Sequence, residues 1–180
     1  MNTLQVKTVS SNQLDEVGYL LINKAARAMA IVNPISQMFN DLDHYKAQNY
    51  SIDWVLLTHP PFDDLVLLEL KSQFTCVIAS SLPIIEQLTH SLSAYCEPLE
   101  NHEVVMLGHL ELEAIISREF VNYKINDHIF LYDCKNIETR ELEKLARTQN
   151  RFVIHLVHFN ESNIKLGHEV SPFELMRLIN

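Results

Sequence analysis

The segment IDWVLLTHPPFDD, residues 52–64, sets one imidazole (His59) close to two carboxylates (Asp63 and Asp64). Imidazoles and carboxylates are the side chains that bind metal ions and move protons in catalysis. The same residues also have plainer uses. His59 stands at a strand end in front of Pro60-Pro61, and acidic residues at 63 and 64 can cap a helix and complement its dipole. Asp133 follows the apolar run IFLY, a common place for aspartate to end a strand before a turn. His155 and His158 alternate to opposite faces of the strand FVIHLV, so one points inward and the other outward. His168 lies beside Gly167 in a loop reading LGHE. His44, His90, His102, His109 and His128 show no ligand spacing and read as surface or core residues.

Other chemistry is excluded more firmly. The 180 residues contain 3 glycines, at positions 18, 108 and 167, and neither GxGxxG nor GxxxxGK[ST] occurs, so no glycine-rich loop cradles a phosphate. A net charge of −9 argues against broad binding to nucleic acid. The longest stretch without a charge, residues 72–85, is too short to cross a bilayer, so no membrane association is expected. No signal peptide is expected, since residues 1–7 lack a basic-then-apolar pattern. Cys76, Cys96 and Cys134 are odd in number and form no CxxC pair, which excludes a disulfide scaffold. Length and composition predict one cytoplasmic domain over residues 1–180.

The elements that must position these groups follow from hydropathy. Residues 17–22 (VGYLLI) and 28–32 (AMAIV) predict a hairpin of two buried strands ending at Asn33-Pro34. Ile35, Met38, Phe39 and Leu42 recur at helical spacing. Further strands are expected at 54–57, 75–79, 103–107, 110–116, 129–132 and 152–157, and helices at 65–70, 82–95, 139–148 and 173–178. Alternation in LELEAII marks a half-exposed strand.

In this setting TH-PPF-DD resembles the strand-end signature THxHxDH of the metallo-β-lactamase-fold hydrolases. His59 matches the first histidine and Asp63 the aspartate, while Pro61 and Asp64 stand in place of the second and third histidines. GYLLINKAARAMAIVNPI resembles the family's opening hairpin, with Asn33 where an aspartate is usual. PLENHEVVMLGHLELEAII is similar to the stretch leading into a TPGHT histidine loop, but Ser117-Arg118-Glu119-Phe120 follows and holds no histidine. IFLYDC resembles the strand that ends in the bridging aspartate, Asp133, and LGHE the glyoxalase-II-like ending, with His168 or His158 as last ligand.

The resemblance implies an α+β αββα sandwich; a receiver-like α/β parallel sheet is the alternative. It also implies a metal centre reduced to His59, Asp63, Asp64, Asp133 and His168 or His158. A first site of His59 and Asp133 has too few ligands for zinc. The second, rich in carboxylates, suits one Mn or Fe ion. Two functions are therefore expected. The first is a non-hydrolytic pseudoenzyme that binds a partner protein or small ligand, with a homodimer as one assembly it allows. The second is a single-ion hydrolase of thioesters, lactones or phosphodiesters with His59 as proton shuttle, or its non-haem iron, oxygen-binding variant. An Arg118–Glu119 salt bridge is expected to close the vacant histidine pocket.

Overall fold

The structure, a computed structural model, describes residues 4–11, 16–117, 120–132, 152–156 and 168–170. Two sheets face each other. The first contains β1 (Leu4–Ser10), β2 (Val17–Asn23), β3 (Ala28–Val32), β4 (Ser51–Leu56), β5 (Val77–Ser80) and β6 (Cys96–Pro98), hydrogen-bonded in that order. β1 to β3 are antiparallel, and β3 to β6 run parallel. Parallel neighbours need crossovers, which α1 (Phe39–Ala47) supplies before β4 and α2 (Asp64–Gln73) before β5. The second sheet has the order β12-β11-β10-β9-β8-β7. It is formed by β7 (Val104–Leu107), β8 (Leu110–Ser117), β9 (Phe120–Ile125), β10 (His128–Leu131), β11 (Phe152–Leu156) and β12 (His168–Val170).

The apolar runs explain the centre. Every residue of β2 and β3 is buried, as expected for strands covered on both faces. One hydrophobic cluster takes side chains from both sheets. Polar ties cross between them. The Tyr123 hydroxyl on β9 donates to the Leu57 carbonyl at 3.0 Å, and the Val121 amide to Thr58 O at 2.9 Å. Asn23 Nδ2 donates to Leu107 O at 2.8 Å, and the Trp54 indole N–H to Met106 O at 2.9 Å.

A second polar feature lies within this core. Tyr19 on β2 meets Phe130 and His155 edge-on, each at 5.2 Å, and His155 stacks on Phe130 at 4.6 Å. His155 Nε2 lies 2.8 Å from His128 Nδ1, while its buried Nδ1 has no hydrogen-bond partner among the described residues. Burial, with a smaller push from His128, takes the His155 pKa from the usual 6.5 down to about 3. Burial also lowers His128, against the opposing pull of Asp127.

The face-to-face sheets overturn the receiver-like alternative, which requires a single parallel sheet. The helix expected over 82–95 is two short helices, α3 (Leu82–Ile85) and α4 (His90–Ser93), because Thr89 between them has ψ 149°, outside the helical range. His168, expected in a loop, is in a strand: β12 pairs with β11 opposite Ile154. The helices expected at 139–148 and 173–178, and the Arg118–Glu119 pair, lie outside the described residues.

Candidate functional site

β3 and β4 are adjacent parallel strands, so Asn33 and Thr58-His59 leave the sheet at the same edge. Asn33 has φ +49°, a left-handed conformation that asparagine tolerates better than most residues. This turns its amide toward β4. Its Oδ1 accepts from Thr58 N at 2.9 Å, and its Nδ2 donates to Thr58 Oγ1 at 2.7 Å. Thr58 Oγ1 is in turn 2.7 Å from His59 Nδ1. Thr58 is fully buried and His59 half-buried, so the imidazole is held by a chain of contacts reaching back to β3.

Aromatic rings pack around it. Tyr132, just beyond β10, lies over the His59 ring with centroids 3.9 Å apart. Phe120 stacks on Tyr132 at 4.1 Å, its plane tilted by only 12°. Phe120 begins β9, in the segment that holds no histidine, and its neighbour Val121 is bonded to Thr58. Tyr132 and Phe120 escaped the sequence reading; the one local signal was Tyr132 preceding Asp133.

The carboxylates act differently from one another. Asp63 is the N-cap of α2: its Oδ1 accepts from the amides of Leu65 at 2.9 Å and Val66 at 3.3 Å. Asp64 is half-buried in the first helical turn, where its charge complements the helix dipole. We expect Asp63→Ala to cost about 1 kcal/mol of stability and Asp63→Asn much less. Thermal melts in excess chelator check this, and an equal loss in both variants would count against the capping role.

The fold has known counterparts. No family model matches the sequence, and no curated protein matches it at a significant level. The solved structures are more informative. This chain is similar to a metallo-β-lactamase from Staphylococcus aureus subsp. aureus COL, with TM-score 0.71 and 12% identity over 98% of this chain and 62% of that one. It is similar to the BLEG-1 B3 metallo-β-lactamase, with TM-score 0.65 and 14% identity over 96% and 97% of the two chains. The chain has the metallo-β-lactamase fold. A third similar structure is the apo state of the chemotaxis sensor ODP from T. denticola, with TM-score 0.53 and 12% identity over 72% and 63%.

In the metallo-β-lactamase fold a metal centre would draw on the loops at this sheet edge. His59, Asp63 and Asp64 are all there, on the segment that joins β4 to α2. Asp133 and His158 lie outside the described residues, and for His168 only its place in β12 is described. Among the described residues no three His, Cys, Asp or Glu side chains gather closely enough to hold an ion. The donor chemistry also fits a metal poorly. Pro61 has no side-chain donor, Asp63 is engaged with two backbone amides, and His59 is packed against a tyrosine.

Proposed function

We propose that this chain is a non-hydrolytic, cytoplasmic relative of the metallo-β-lactamase-fold enzymes, whose loop-built face binds a protein partner or a small ligand. The observation that carries this reading is the His59–Tyr132–Phe120 ring cluster, in which Tyr132 is tilted against His59 and stacked on Phe120, so that rings occupy the surroundings of the first expected ligand. A face holding Asp63 and Asp64, with Leu65 next to them 76% exposed, offers both charge and apolar area to a partner. That one similar structure is a chemotaxis sensor supports a binding role on this fold. No described helix is long and apolar enough to cross a membrane.

Elemental analysis of protein purified without chelator or metal-affinity tag tests the proposal, alongside thioester, lactone and phosphodiester hydrolysis assays. Sub-stoichiometric metal and no turnover are expected. One equivalent of Mn or Fe that disappears in Asp63→Ala would establish the single-ion hydrolase instead.

A further inference from the structure

We infer that Asn33 fixes the protonation pattern of His59, so that the imidazole carries its proton on Nε2, where a metal-ligating histidine would keep its lone pair. The inference rests on the non-hydrolytic reading above and names the device behind it. The logic is an accounting of one hydroxyl. Thr58 Oγ1 is fully buried, and a buried hydroxyl proton needs an acceptor. Its two side-chain neighbours are Asn33 Nδ2 and His59 Nδ1, both at 2.7 Å.

The asparagine amide cannot be turned around. Its Oδ1 is the group that accepts from the Thr58 backbone N–H, at 2.9 Å, so Nδ2 must face the hydroxyl. Nδ2 is a donor only, which leaves His59 Nδ1 as the acceptor for the Thr58 proton among the described residues. An imidazole that accepts at Nδ1 and is neutral carries its proton on Nε2. A metal-ligating histidine bound through Nε2 has the opposite pattern, donating Nδ1–H to an outer partner.

A carboxylate at position 33 would reverse the whole chain of bonds. One oxygen would still take the Thr58 amide and the other would accept the Thr58 hydroxyl proton. Oγ1 would then accept from Nδ1–H, and the lone pair would move to Nε2. Asn33 is thus a positioning residue that acts on His59 through Thr58.

The test is a long-range 15N–1H correlation spectrum of the histidine side chains at neutral pH, with His59 assigned through His59→Gln. Wild type is expected to show His59 with Nε2 protonated, in an excess on the order of tenfold, the worth of one hydrogen bond. Asn33→Asp is expected to move the proton to Nδ1, and Thr58→Val to give a mixture. The wild-type spectrum decides the matter even if a variant fails to fold: Nδ1–H on His59 overturns the inference. An unchanged pattern in folded Asn33→Asp overturns it too. Metal-free wild-type protein with Nδ1–H would refute this device and leave the non-hydrolytic reading standing, whereas bound stoichiometric metal refutes that reading itself.

Discussion

Gly18→Ala is expected to destabilise the protein by about 3 kcal/mol or more, with a fall in thermal midpoint large enough to leave little folded protein at 37 °C. A Cβ at position 18 would sit 2.1 Å from the Asn33 carbonyl oxygen and 2.3 Å from Met38 Cε. The methionine end can swing aside. The carbonyl cannot, because the Asn33 backbone is tied to β4 through its amide to Leu56 O at 3.0 Å and through its side chain to Thr58. Relief therefore requires moving β2 away from the β3–β4 exit, which disturbs a strand with no exposed residue. Denaturant melts of wild type and Gly18→Ala measure the loss, and a difference below 1 kcal/mol would show that the exit loop yields freely.

The second large effect is a loss of stability in acid. His155 has a folded pKa of about 3 against an unfolded value near 6.5, so between those pH values the unfolded chain binds more protons than the folded one. Stability then rises with pH over this window, and the benefit of the neutral ring is complete above pH 6.5 and lost as the pH falls. At 1.36 kcal/mol per unit the full window amounts to roughly 3–5 kcal/mol. The geometry gives the reason. Two imidazoles 2.8 Å apart can share one proton between Nδ1 of His128 and Nε2 of His155, and a second would set N–H against N–H. Urea midpoints measured from pH 7 to pH 4 should fall steadily in wild type. In His155→Phe, whose ring can stack on Phe130 as the imidazole does, the slope should flatten. An identical slope in the two proteins would assign the acid sensitivity to other groups.

How much of this was legible beforehand depends on whether a residue's neighbours in space are also its neighbours in sequence. β2 and β3 were visible as apolar runs because burial on both faces removes polar residues, and β4 only from Trp54 onward, past the exposed Ser51 and half-buried Asp53. β8 was visible as alternation, since LELEAII buries Leu110, Leu112 and Ala114 and leaves Glu111 outside. β1 and β9 were missed: LQVKTVS lies at a sheet edge, and FVNYKI buries Asn122, whose Oδ1 accepts from the Tyr132 amide. A buried asparagine breaks the hydropathy pattern for a reason only the third dimension supplies. The same holds at the site. The position of His59 at the end of a strand followed from VLLTHPP, and Asn33 stood out as the residue replacing an aspartate. That Asn33 bonds Thr58, 25 positions away, and that Tyr132 covers His59, needed the packing of β3 on β4 and of one sheet on the other. His128 and His155 read as unrelated residues because 27 positions separate them.

The tie between Trp54 and Met106 has a consequence for the molecule's behaviour in a crowd. β7 is the last strand of its sheet, and Val104 and Met106 on it are 46% and 47% exposed. A terminal strand with bare apolar side chains is a seam along which a foreign chain can zip by backbone pairing. With an indole already seated on the Met106 carbonyl, that seam is interrupted midway, and an incoming segment must first evict a tryptophan. Trp54, one of several residues that fasten the two halves of the sandwich, thereby also blocks part of an exposed strand edge.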